Sequence, residues 1–321
     1  MAGLTALEVL DLGGVALMGS VLPDWLGNLT SLRKLVLVGP PPNLSSGRGP
    51  SGTIPLQWKY LTSLRHLELR HFPLLDFHSR TLEDIWGPYG LSNLQNLTLS
   101  DFGSSCINYE DLAIVLGHSN ANLETMVLSG VDETGHGSGC VFSTSGAWSL
   151  SFLTNYSQLR ILRMHRATHD GQGGLIGGIP NEWKHALFKL EELSLPAAGL
   201  NGTLPDWLPN ILADNAVLDL RGNNFSGPLP STWGNIAGFT GFTQLWLDGN
   251  QLGGNLPASW ASLMWSSVSV SLGGQRGWGG NLGGFEGPLP AEWLSSSVGD
   301  SYEGSRLVKL DMRQVYATIG C

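Results

Sequence analysis

Two clusters in the sequence carry side chains of the kind that hold metals or move protons. His165 and His169 stand four apart with Asp170 following, and "DETGH" groups Asp132, Glu133 and His136 in a glycine-rich stretch. Two imidazoles four apart converge on a metal when a helix carries them. Here the first closes a strand pattern and the second falls in a loop, so that convergence is lost. The second cluster has no EF-hand or zinc spacing and reads as a solvated loop. Cys106, Cys140 and Cys321 match no zinc pattern either. Activated serine, metalloprotease, nucleotide-binding and kinase motifs are all missing. The expectation is a chain that is not an enzyme and that holds no metal and no cofactor.

Other residues are suited to binding rather than reaction. Arg33, Lys34, Arg65, His66 and Arg70 group basic side chains near Glu8 and Glu68 in a protein of net charge −9. Such a patch can receive an acidic peptide or an anionic polysaccharide, or can simply be a solvated, internally balanced face. Trp246 is the kind of aromatic that anchors a peptide or a sugar ring when it is exposed. What these residues can do depends on the elements that carry them.

Those elements repeat. The pattern LxxLxL starts at Leu7, Leu32, Leu64, Leu94, Leu123, Leu159, Leu190 and Leu307, and degenerate copies start at Asn215, Phe242 and Ser267. The last two apolar positions of each copy are two apart, so they share one face of a short strand, and the residues between them share the other. Seven copies add glycine, an apolar residue, proline and then tryptophan, as in "GTIPLQW" (52–58), "GPLPSTW" (227–233) and "GNLPASW" (254–260). Periodic units of this size form solenoids whose core grows unit by unit. The 44 glycines and 17 prolines supply the turns, and charged residues fall to 13%.

"LDLRGNNFSGPLPSTWGNI" (218–236) and "LWLDGNQLGGNLPASWASL" (245–263) resemble the plant-type leucine-rich repeat. The tryptophan-containing "LPxxW" variant is similar to repeats of green-algal and trypanosomatid surface proteins. The resemblance implies an α/β solenoid, a curved right-handed superhelix of about 11 repeats, with a concave parallel sheet and convex short strands, turns and 3-10 segments. It implies one domain over 1–321: regular repeats at 1–70, irregular ones at 71–174, and plant-type repeats at 175–321 with an insertion near 273–286. Both caps are missing from the pattern, so a fragment is expected. Trp58, Trp183, Trp233, Trp260 and Trp293, three residues after the proline, are expected in the core. Trp25 and Trp207 come one earlier, which leaves Leu26 and Leu208 at the core position. The family's inward asparagine is present at Asn223 and Asn250 but replaced at Phe72, Ala198 and elsewhere. Cys106 and Cys140 lie about one repeat apart, which leaves either a bridge between turns or two buried thiols.

In this register the concave display positions include Arg33, Lys34, Arg65, His66, Glu68, Arg70, Arg160, Arg163, His165 and Trp246, with Asp219, Arg221 and Asp248 among the others. Six N-glycosylation sequons occur, at Asn28, Asn43, Asn96, Asn155, Asn201 and Asn224. A glycan on Asn96 would obstruct the display face.

The acidic balance and the absence of any basic run exclude a nucleic-acid surface. No apolar run is long enough to span a bilayer. The reading is a non-catalytic, monomeric recognition module of a cell-surface or secreted protein, binding protein, peptide or cell-wall polysaccharide. Alternatives are a secreted inhibitor of cell-wall-degrading enzymes, a receptor-like ectodomain whose anchor or kinase lies outside the chain, and a wall- or ice-associated structural protein; a cytoplasmic location is the alternative to a cell-surface or secreted one.

Overall fold

The computed structural model describes residues 4–13, 21–39, 51–72, 74–76, 85, 91–100, 122–129, 147–148, 150–165, 174–175, 177–264, 268–275, 284–293 and 307–311. The chain divides into two compact units, Met1–Gly174 and Leu175–Cys321.

In the first unit the LxxLxL segments form six parallel strands in chain order: β1 (Val9–Leu12), β2 (Lys34–Val38), β3 (His66–Arg70), β4 (Asn96–Ser100), β5 (Thr125–Ser129) and β6 (Ile161–His165). Their register runs without slip from β2 to β6, so Leu35, Leu67, Leu97, Met126 and Leu162 make one row and Leu37, Leu69, Leu99, Leu128 and Met164 another. Both rows are buried. Alternation of side chains across an extended strand leaves the intervening residues on the opposite face.

The second unit stacks five parallel strands: β7 (Leu190–Ser194), β8 (Leu212–Asp219), β9 (Phe242–Trp246), β10 (Val268–Ser271) and β11 (Leu307–Asp311). Where the pattern is degenerate, the ladder is irregular. Leu190 pairs with Leu212 but Glu192 pairs with Val217, so β8 carries extra residues at the point where Asn215 replaces the expected leucine. Asn215 absorbs them in a left-handed conformation, φ 60°, which asparagine tolerates better than most residues.

After β7, β8 and β9 the chain turns and crosses to the far side of the core. In the second unit it makes short parallel strands there, Asn201–Gly202, Asn224–Gly227 and Gln251–Leu252. The Gly-Pro-Trp segments then form short 3-10 turns, among them Asp24–Asn28, Leu56–Tyr60, Asn181–His185, Ser231–Asn235 and Ala258–Met264. The five tryptophans expected inside are buried, all at 4% exposure or less, whereas Trp25 is 40% exposed beside a buried Leu26.

The choice of tryptophan over leucine has a cause in this geometry. Pro230 starts a turn in extended backbone (φ −65°, ψ 113°), and its carbonyl accepts the backbone N–H of Trp233 at 3.3 Å. The same carbonyl accepts the indole Nε1–H of Trp260, from the following repeat, at 2.8 Å. Pro205 is bonded in this double way by Leu208 and Trp233, and Pro257 by Trp260 and Trp293. Both lone pairs of each carbonyl are therefore used. The rings of Trp233, Trp260 and Trp293 stack nearly parallel, with centroids 5.5 Å and 6.3 Å apart. Trp207, one position out of phase, donates instead to the Asn181 side chain at 3.0 Å.

A second set of ties runs beneath the strand ends. Asn223 Oδ1 accepts the N–H groups of Ala198 and Leu200, and its Nδ2 donates to the carbonyls of Leu195 and Leu220. Asn250 repeats this with the Phe225 N–H and the carbonyls of Leu220 and Leu247. Gln275 continues the ladder, accepting the Leu252 N–H and donating to the Leu247 and Leu272 carbonyls. The glutamine was not foreseen. Phe72 and Ala198 occupy the equivalent position as buried apolar groups.

The residue before the ladder position is left-handed at Gly222 (φ 69°), Gly249 (φ 67°) and Gly274 (φ 62°), but also at His71 (φ 60°) and Ala197 (φ 51°). A side chain in that region costs roughly 1–2 kcal/mol, partly offset by the greater backbone entropy a glycine loses on folding. Ala197→Gly is thus expected to stabilise the chain by about 0.5–1 kcal/mol, read as a higher urea midpoint. An unchanged or lower midpoint would show that Ala197 carries no strain.

Candidate functional site

On the first unit, β1 to β3 present a charged strand face. Lys34 Nζ donates to Asp11 Oδ2 at 2.9 Å, and Asp11 also accepts the Gly13 N–H. The Gly13 bond and the lysine hold the Asp11 carboxyl below its ordinary range. On β3, Glu68 lies between its two neighbours, 3.3 Å from His66 Nε2 and 2.5 Å from Arg70 Nε. The second contact is an ion pair whose angle is not that of a hydrogen bond. The hydrogen bond to His66, reinforced by the charge of Arg70, lowers the Glu68 pKa against the opposing effect of burial.

The five-membered basic cluster therefore separates into two groups. Lys34, His66 and Arg70 lie on the strand face and are matched by Asp11 and Glu68. β2 begins at Lys34 and β3 at His66, so Arg33 and Arg65 sit one residue before their strands and are exposed. The N–H groups of Arg33 and Lys34 both reach the Glu8 carbonyl, and those of Arg65 and His66 the Arg33 carbonyl, so the regular ladder begins only after each arginine. Arg160 likewise precedes β6 and is exposed, whereas Arg163 and His165 are half-buried on β6 itself.

On the second unit the strand face carries a different arrangement. Trp246, at the end of β9, is half-buried and in register with Asp219 on β8 and Ser271 on β10. The Arg221 guanidinium lies 4.4 Å from the centroid of the Trp246 ring. That guanidinium is clamped by Asp219, with Nε to Oδ1 at 2.9 Å and a second nitrogen to Oδ2 at 2.8 Å. The bond to Asp219 raises the Arg221 pKa further. Asp219 is almost fully buried, and its Oδ1 also accepts the Arg221 N–H. Beside them Asp248 Oδ1 accepts the Ser271 hydroxyl and the Gly273 N–H. An indole with a fixed cation on its face is a rigid, amphipathic contact that loses little entropy when covered. The sequence places Asp219, Arg221 and Trp246 on one face, but their mutual clamp depends on the cross-strand register.

Among the sequons, Asn28, Asn155, Asn201 and Asn224 are exposed, and Asn96 is half-buried on β4 between His66 and Thr125. Asn43, Cys106, Cys140, Cys321, His169, Asp170 and the 132–136 segment lie outside the described residues. Among the described residues no group of three or more His, Cys, Asp or Glu could hold a metal ion, and no helix is long and apolar enough to cross a membrane.

A Leucine Rich Repeat family model matches residues 216–236, the segment that spans Asp219, Arg221 and Asn223. No curated protein matches the chain in sequence. Among solved structures, the chain is similar to a plant peptide hormone receptor, RGFR1, in complex with RGF2: 20% identity over 94% of this chain and 43% of that one, TM-score 0.56. It is also similar to a TDR receptor, at 19% identity over 92% of this chain and 41% of that one, TM-score 0.57. A third is the ectodomain of the Arabidopsis receptor kinase HAESA in complex with an extended IDA peptide hormone, at 19% identity, 96% and 46% coverage, and TM-score 0.55. The chain spans less than half the length of each. The fold is a leucine-rich-repeat solenoid.

Proposed function

We propose that the chain is a non-catalytic recognition module of an extracellular or cell-surface protein, and that it binds a peptide or protein segment on the solvent-facing side of its parallel strands. The observation that carries this reading is the Asp219–Arg221–Trp246 clamp, a half-exposed indole held rigid at the middle of the second unit's strand face. Aromatic and arginine side chains dominate the energetics of protein interfaces, and rigid ones do so at the lowest entropic cost. RGFR1, a plant peptide hormone receptor, is in complex with RGF2, and HAESA is in complex with an IDA peptide hormone, which supports a peptide-sized ligand. The exposed sequons Asn28, Asn155, Asn201 and Asn224 agree with a secretory route. The tryptophan-variant repeat belongs with the surface-protein reading, and a larger receptor-like protein would place this module outside the membrane.

The test is selection of peptides from a random display library on the full chain, followed by affinity measurement against Trp246→Ala. A loss of at least about 30-fold is expected, the level of an interface hot spot. Unchanged affinity across the selected peptides would sink the reading. Tryptophan emission on urea titration, dominated by the buried indoles, confirms that the variant is folded.

A further inference from the structure

The first unit has a second polar feature, at the positions just before its strands. Arg33 and Arg65, on neighbouring repeats, line a cleft of about 200 Å³ with Ser63 and Asn93. Their backbones are locked in sequence: Arg33 N–H donates to the Glu8 carbonyl, Arg65 N–H to the Arg33 carbonyl, and Gln95 N–H to the Arg65 carbonyl. The two arginines are thus held one strand spacing apart, about 4.8 Å. The Asn93 amide donates to the Thr62 carbonyl at 2.8 Å, which fixes one wall.

The charge in this cleft is not balanced. Arg33 has only a loose ion pair with Glu8, at 3.5 Å between side chains that are both more than half exposed. The Arg65 side chain has neither an ion pair nor a hydrogen bond among the described residues, whereas Lys34, His66 and Arg70 close by are all matched by carboxylates. Two guanidiniums lining one cleft repel each other and can offer forked donors to one oxyanion.

We infer that the cleft between Arg33 and Arg65 is a binding site for a single carboxylate of a protein or peptide ligand. The row of residues at these positions selects one anionic group over a polyanion. It reads Glu8, Arg33, Arg65, Gln95, Glu124, so the cationic run is two rungs long and is closed by a carboxylate on each side. A polyuronate following the row would meet Glu8 or Glu124 within two rungs, and like charges at that spacing cost affinity. This site lies in the other unit from Trp246 and does not depend on it.

The experiment follows the arginine Nε–H resonances of the ¹⁵N-labelled full chain. The probe is a blocked tripeptide with one central glutamate, and its glutamine analogue is the control. The glutamate peptide is expected to shift two arginine resonances saturably, in the millimolar range, and the glutamine analogue to leave them in place. Arg65→Gln, checked for unchanged tryptophan emission, is expected to weaken the response at least about tenfold, the range of a lost charge-assisted hydrogen bond. Glu8→Gln, which frees Arg33, is expected to strengthen it. Equal shifts from the glutamine peptide, a response that survives Arg65→Gln, or weaker binding in Glu8→Gln would each overturn the proposal. So would polygalacturonate that perturbs the same two resonances at a lower concentration per carboxylate than the tripeptide.

Discussion

Trp260→Ala is expected to cost about 3–5 kcal/mol, the largest effect of any single tryptophan replacement in the second unit. Trp260 is fully buried and stacked between Trp233 and Trp293, and its indole N–H binds Pro230 of the preceding repeat. Deleting the ring opens a cavity that touches both neighbours, and in a solenoid each repeat is stabilised chiefly through its interfaces with the next. Trp260→Phe separates the two contributions. It keeps most of the stack but leaves the Pro230 carbonyl with the Trp233 N–H alone, for a cost of about 1–3 kcal/mol. Urea unfolding followed by far-ultraviolet circular dichroism distinguishes them. Equal stability of the phenylalanine variant and the parent would show that the indole N–H contributes nothing, and the account of why tryptophan recurs would fail.

The second large effect is expected at Asn250. Its side chain has no exposed surface, satisfies the Phe225 N–H, and donates to the Leu220 and Leu247 carbonyls. Each of those carbonyls also accepts from another rung of the ladder, Asn223 or Gln275. Asn250→Ala therefore orphans the Phe225 donor outright and halves the bonding at two acceptors. An unsatisfied buried polar group costs about 1–3 kcal/mol, so a loss of about 2–4 kcal/mol follows. Native-state hydrogen exchange should show the Phe225 amide among the first to lose protection. Protection there equal to the parent's would mean that another group, or water, fills the role.

These two positions also show how far the sequence can be read. Trp260 was legible as core from its spacing after the proline, because a three-residue 3-10 turn fixes which side chain points inward. Its hydrogen bond to Pro230 was not, since it joins residues of different repeats and depends on their stacking distance. Asn223 and Asn250 stood out by residue type, whereas Gln275 does the same work with a longer side chain and fell outside the pattern. The strand positions of the display residues were readable from period-two alternation. The doubled hydrogen bonds at Arg33 and Arg65, where two consecutive N–H groups share one carbonyl, had no signal in that alternation. The pairing of Lys34 with Asp11 and of Arg221 with Asp219 required the register and the side-chain conformations. The left-handed backbone of Ala197 had no signal either, because the equivalent positions of the next three repeats hold Gly222, Gly249 and Gly274 and alanine gives no hint of the same conformation.

The claim that the strand side is the recognition surface is tested most directly by hydrogen exchange of the full chain with and without a peptide selected on it. The account predicts slower exchange in strands β8 and β9, around residues 217–221 and 244–248, with the 3-10 turns at 231–235 and 258–264 unchanged. Protection confined to those turns, with the strands unaffected, would contradict it.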